Sequence, residues 1–284
     1  MINNFNELLE EYKDARRNAF VTALTINSSG RKIAGIFGTN IPREIIWAMD
    51  IVPINIYSND GSNIEAAEKV LQEENCSLIK ASYGYAITNK CPLTHFSDIV
   101  VGNDMCINKL SMLSKLSDLK KTYILQELND VDNMVLEYKR FVAYLEQKFN
   151  VEINVNKLTF AIKITNEINK KMQELFKLFI SKPYLINIDD LYNIIYGNQF
   201  ILDLNERYEK LSAITESIKI GISDNDTSLN NNAKIKRILI CGAPIAGIIE
   251  KILKPLSARS DVISILAPSC CEEESFSTFH CYDK

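Results

Sequence analysis

Two apolar periodicities alternate along the chain, one near 3.6 residues and one in short continuous runs. Residues 2–28 set Phe5, Leu8, Leu9, Tyr12, Ala15 and Phe20 near one helical face and close on Asn27-Ser-Ser-Gly30. Lys32-Ile-Ala-Gly-Ile-Phe37 then predicts a strand. After Gly38-Thr-Asn40 a helix is expected over 41–49, with Pro42 near its first turn, where a missing amide costs nothing. The strand 51–56 completes a βαβ unit of parallel-sheet type. Residues 65–74 predict another helix, and 76–91 an amphipathic one. Asp98-Ile-Val-Val-Gly102 predicts a short buried strand and Thr122-Tyr-Ile-Leu125 a further one.

From residue 133 to about 222 the period becomes helical throughout. Met134, Leu136, Phe141, Leu145 and Phe149 form one stripe, and Leu158, Ile162, Ile168, Met172, Leu175 and Phe179 the next. Such stripes are core in the simplest account. Ser223 to Asn232 is polar and without apolar period, a linker by composition. The opening order then returns: strand 236–241, the turn Gly242-Ala-Pro-Ile-Ala-Gly247, helix 248–256 and strand 261–266. The expected organisation is a first α/β domain over 1–130, a helical block over 131–222, a linker over 223–234 and the start of a second α/β domain over 235–284. The second copy stops early, and two strands with one helix bury too little apolar surface to stand alone.

Composition narrows the function. With 32 basic and 36 acidic side chains the net charge is −4, and no basic block stands out, so nucleic acid is not an expected partner. No run of eighteen apolar residues occurs, and the amino terminus carries acids where an export signal carries bases. A soluble, cytoplasmic protein without membrane partners is expected. Seven cysteines in such a chain point away from a disulfide framework and towards metal binding or reactivity. His95 and His280 are the only histidines, which leaves thiolate chemistry rather than a His-rich metal site.

Cys76, Cys91 and Cys106 recur at equal intervals of fifteen, and Cys106 is expected just past the carboxyl end of a strand, where open α/β sheets bind ligands. Small buried thiols are the plain alternative for all three. Cys241 lies in an apolar run and reads as core. A Cys91–His95 nucleophile is a weaker reading, because Pro92 restricts Cys91 to extended geometry and no third orienting group is identifiable. Cys270 and Cys271 are adjacent and would bridge only with strain. The turn at 242–247 opens a helix but matches no phosphate-loop pattern.

The run from Cys76 through Ala81-Ser-Tyr-Gly84, Cys91-Pro-Leu and Phe96-Ser-Asp-Ile-Val-Val-Gly102 to Cys106 resembles the 2-hydroxyacyl-CoA dehydratase and benzoyl-CoA reductase family, D-component type. Within it the chain is most similar to the double-cubane-cluster reductase branch. The unit from Gly38 to Ile56, the helical block with Asn154-Val-Asn-Lys-Leu-Thr-Phe-Ala-Ile162, and Arg237-Ile-Leu-Ile-Cys-Gly-Ala-Pro-Ile-Ala-Gly247 agree with it in order. The resemblance implies two flavodoxin- or Rossmann-like parallel-sheet domains, the second incomplete here, joined by a helical block. It implies an oxygen-sensitive iron–sulfur protein, with a 4Fe-4S or double-cubane cluster and lyase or oxidoreductase chemistry. Low-potential electrons would come from an ATP-dependent activator that is itself an iron–sulfur protein, for dehydration or reduction of an acyl-CoA or similar small substrate. Mapped by position, Cys76 and Cys106 match the cluster cysteines of the first domain, Cys91 the extra one of the double-cubane branch, and Cys270 or Cys271 the cysteine of the second domain. A homodimer or heteromer is expected.

Two departures accompany the match. Relatives of this branch usually carry Glu-Thr-Thr-Cys-Asp-Gly-Lys-Lys-Lys where this chain has Asn103-Asp-Met-Cys106-Ile-Asn-Lys-Leu, and Asn-Cys-Thr-Gly where it has Ser269-Cys-Cys-Glu272. With the short second copy, these leave open a truncated, non-catalytic cluster-binding or partner subunit.

Overall fold

The computed structural model describes residues 5–58, 60–183, 185–224, 236–241, 249–259 and 261–266. In chain order the elements are α1 (Phe5–Ser28), β1 (Ile33–Phe37), α2 (Arg43–Ala48), β2 (Val52–Asn55), α3 (Ile64–Glu68), α4 (Ser77–Ile87), α5 (Pro92–Phe96), β3 (Ile99–Asn103), α6 (Ile107–Leu116) and β4 (Thr122–Leu125). Then follow α7 (Val131–Phe149), α8 (Val155–Ser181), α9 (Ile188–Asn198), α10 (Leu204–Asp224), β5 (Lys236–Ile240), α11 (Ile249–Ser257) and β6 (Val262–Leu266). They form two compact units, one holding residues 19–163 and the other 5–18, 164–224 and the described residues from 249 on, with 236–241.

The first unit is built on a parallel sheet in the order β2-β1-β3-β4. β1 and β3 are central and buried at every position, which is why they read as continuous apolar runs rather than alternating ones. Pro53 lies in β2, at the sheet edge, where a residue without an amide proton can be accommodated. Ala34, Ile36, Ile99 and Val101 meet Ile45, Ile46 and Met49 from the α2 region and Phe141 and Leu145 of α7 in one core. α6 covers β3 so closely that a Cβ on Gly102 would lie 2.3 Å from the Leu113 side chain.

Two expectations change here. The helix foreseen over 65–74 is the five-residue α3, entered by a 3-10 turn at Gly61–Asn63 and ended after Glu68, where Val70 is exposed and Leu71 closes a turn onto the Ala67 carbonyl at 2.8 Å. In α7 the stripe is displaced: Leu136 is 49% exposed, whereas its neighbour Glu137 is buried. Glu137 is retained inside because it accepts from the Tyr123 hydroxyl and the Gln126 amide, each at 3.4 Å, and lies 3.5 Å from the Arg140 guanidinium.

In the second unit the amino-terminal part of α1 crosses α9 at Gly197, whose missing Cβ would lie 2.2 Å from the Tyr12 carbonyl. Leu175, Phe179, Leu191, Ile194, Leu211 and Ile214 are buried, as their helical spacing implies. Lys210 joins Glu11 at 3.0 Å and Glu206 at 2.7 Å. α11 is tied to the start of α9 where the Asp189 amide donates to Ser257 Oγ at 3.2 Å. β5 and β6 pair in parallel over five positions. β5 is exposed along most of its length, and Cys241, just past its end, is exposed too. The core reading of Cys241 is thereby corrected: its apolar run sits on the surface of a two-stranded sheet. The turn at 242–247 and most of the linker stretch lie outside the described residues, while α10 continues to Asp224.

Candidate functional site

The strand order of the first unit creates a switch point. β1 leads to β2 on one side, whereas β3 and β4 lie on the other, so the segments leaving β1 and β3 diverge at the carboxyl edge, the place where open α/β sheets bind ligands. Gly38, Thr39 and Asn40 leave β1; Asp104, Met105 and Cys106 leave β3.

Asn103, the last residue of β3, is fully buried between them. Its Nδ2 donates to the Thr39 carbonyl at 2.6 Å and reaches Glu127 Oε2 at 3.5 Å, and its Oδ1 accepts from the Lys109 ammonium. The Glu127 amide donates to Asp104 Oδ1 at 2.8 Å, and Asn40 Nδ2 to Glu127 Oε1 at 3.2 Å. Gly38, at φ 133°, has a backbone angle that disfavours a side chain, and a Cβ there would lie 2.8 Å from the movable end of Lys109.

The three evenly spaced thiols share one structural role. Cys76, Cys91 and Cys106 are each the extended residue that precedes a helix, α4, α5 and α6 respectively, and none of the thiols accepts a capping bond from its helix. Each backbone carbonyl does start its helix, accepting from Lys80 at 3.1 Å, His95 at 2.9 Å and Leu110 at 2.9 Å. The thiolate is the form that binds metal. Cys106 is exposed, Cys76 half-buried and Cys91 buried.

The starts of α4 and α6 are adjacent. Asn108 Nδ2, two residues beyond Cys106, donates to the Glu74 carbonyl, two residues before Cys76, at 3.3 Å. No group of three His, Cys, Asp or Glu side chains placed to hold a metal ion occurs among the described residues. Cys270 and Cys271 lie outside those residues.

Cys91 has the extended geometry expected before Pro92, at φ −96° and ψ 105°. His95 sits on α5 rather than in a loop, its Nδ1 3.0 Å from Asn89 Oδ1. That contact supplies a fixed ring without activating Cys91. Lys120 Nζ donates to the carbonyls of His95 at 2.6 Å and Ser97 at 3.2 Å; burial lowers its pKa, against the opposing pull of the Asp98 carboxylate.

A family model described as 2-hydroxyglutaryl-CoA dehydratase, D-component, matches residues 38–280. The chain belongs to that family. Among its relatives is the protein named "Putative dehydratase subunit YjiM" from Escherichia coli (strain K12), 28% identical over 262 residues that cover 90% of this chain and 67% of that protein. The dehydratase family membership agrees with the resemblance carried by the cysteine stretch, and the matched residues take in Cys76, Cys91, Cys106, Cys270 and Cys271. No helix among the described residues of this D-component relative is long and apolar enough to cross a membrane.

The Asn103–Lys109–Glu127 network was not foreseen. Its one signal in the sequence is an Asn-Asp pair closing an apolar strand ahead of a thiol, and that pattern is common in turns. Which lysine and which carboxylate would meet Asn103 is decided by strand order.

Proposed function

We propose that this chain is an iron–sulfur subunit of a 2-hydroxyacyl-CoA dehydratase-type enzyme, with Cys76 and Cys106 as ligands and Cys91, Cys270 or Cys271 completing the set. The observation that carries it is the Asn108–Glu74 hydrogen bond, which brings the helix starts bearing Cys76 and Cys106 together beside the sheet's carboxyl edge. The donor set fits the group: thiolates are the usual ligands of iron–sulfur clusters. Bound there, a cluster of 4Fe-4S or double-cubane type would supply one-electron reduction at low potential. The chain's own part is to present the thiols, to position the segment after β3 through Asn103, and to exclude water with the apolar sheet. Electrons would come from an ATP-dependent iron–sulfur activator, the substrate would be an acyl-CoA or similar small thioester, and the working unit would be a homodimer or heteromer in the cytoplasm.

Anaerobic purification with iron and sulfide analysis tests the ligands. Cys76→Ser and Cys106→Ser should each lose the bound iron and the broad visible absorption, and unchanged iron in both variants would remove the proposal. A second reading, a cluster-binding partner subunit without turnover of its own, draws on the words "component" and "subunit" in the descriptions of its relatives. Activator-dependent dehydration of a 2-hydroxyacyl-CoA by the purified chain separates the two.

A further inference from the structure

Lys109 stands on α6, three residues beyond Cys106, and is 8% exposed. A lysine this close to a helix start at the surface would ordinarily extend into water. Here the ammonium turns inward onto Asn103 Oδ1 and lies against the end of β1, where a Cβ on Gly38 would come within 2.8 Å of it. Asn103 carries that contact to the Thr39 carbonyl and towards Glu127, so a single buried amide connects α6 with the ends of β1, β3 and β4. The turn after β3 is already closed without Lys109, by the Asp104 amide on the Leu125 carbonyl at 3.2 Å and the Glu127 amide on Asp104. Burying an ammonium costs free energy that an apolar side chain of similar length would not. Its charge, rather than its bulk, is therefore what distinguishes the arrangement.

We infer that Lys109 is a positioning residue for Cys106: through Asn103 it ties the start of α6 to the ends of β1 and β3, and its ammonium raises the electrostatic potential at the Cys106 thiol against the Asp104 and Glu127 carboxylates of the same network. A charge held away from water is weakly screened and adds to the positive start of α6. The consequence for an anionic thiolate cluster rests on the reading of Cys106 as a ligand, but the potential itself belongs to the polypeptide and can be measured without iron.

The experiment uses the full, metal-free chain and follows alkylation of Cys106 by mass spectrometry with an anionic reagent, iodoacetate, and a neutral one, iodoacetamide. The ratio of the two rates cancels the thiolate fraction and reads the local potential. Lys109→Met should lower it by on the order of two- to five-fold, the effect of one partly screened unit charge. Lys109→Arg should restore it. An unchanged ratio in Lys109→Met, or an equal fall in Lys109→Arg and Lys109→Met, would overturn the inference. Absence of iron from the anaerobic wild-type protein would instead defeat the ligand reading and leave the alkylation result to decide the role of Lys109.

Discussion

Asn108 Nδ2 donates to the Glu74 carbonyl at 3.3 Å, and through this bond the start of α6 is held against the segment that enters α4. The bond is exposed, so its net contribution to stability is about 1 kcal/mol at most. On the proposed ligation of iron by Cys76 and Cys106 its consequence for the thiols is larger, because supporting contacts fix the approach of ligands. Asn108→Ala should leave the melting temperature nearly unchanged and weaken iron retention by on the order of tenfold. Chelator competition on the anaerobic protein, beside a thermal melt, measures both.

A second prediction concerns the crossing of α1 and α9. A methyl group at position 197 would lie 2.2 Å from the Tyr12 carbonyl and 2.9 Å from its carbon, both backbone atoms that cannot rotate away. Gly197→Ala should cost about 1–3 kcal/mol by forcing the helices apart. Gly30 provides the control. It has φ 79° with open space where its Cβ would be, so Gly30→Ala should cost only the left-handed backbone penalty, about 1 kcal/mol. Urea unfolding of the two variants gives the comparison.

The elements whose burial follows from local composition were legible in the sequence. β4 occupies the residues foreseen for it, 122–125, and β1, α2 and β2 follow the expected order within two residues at each end. Buried parallel strands must be apolar throughout, so their limits show as changes in composition. The errors occurred where a distant contact overrides that pattern. Glu137 replaces Leu136 in the core because Tyr123 and the Gln126 amide, both from the β4 region, can satisfy its carboxylate. Cys241 is exposed because β5 has one partner strand among the described residues. The single amphipathic helix expected over 76–91 ends at Ile87, and a new helix starts after Cys91; the contact from Asn108 to Glu74 joins residues 34 apart and follows from strand order alone.

Glu137 supplies a third prediction. Glu137→Gln keeps an acceptor for Tyr123 and Gln126 and should cost little. Glu137→Leu restores the apolar stripe but leaves the Gln126 amide and the Tyr123 hydroxyl without this partner, and should destabilise by about 1–3 kcal/mol. If the leucine variant were the more stable of the two in urea, the buried carboxylate would have no role in holding α7 on the sheet.

The same pair makes stability fall at alkaline pH. Tyr123 has its pKa pushed up to about 12 from the usual 10, first by burial and then by the neighbouring Glu137 carboxylate, which opposes a phenolate beside it. Tyr12 moves in the same direction through burial, opposed by Arg207 and reinforced by Glu11. Above pH 10 the unfolded chain releases these protons while the folded chain holds them, so the unfolded state binds fewer protons and folding stability declines as pH rises. For Tyr123 the contribution is present below pH 10 and is lost progressively up to about pH 12. Solvent around its partly exposed ring keeps the size below the full linkage value. Tyr123→Phe should flatten the decline over that interval. Tyr12→Phe should flatten it further at no cost near neutrality, because the Tyr12 hydroxyl is buried with no hydrogen-bond partner among the described residues. Urea midpoints measured from pH 8 to 11.5 for the wild type and both phenylalanine variants give the slopes, and parallel slopes in all three would assign the alkaline loss to other groups.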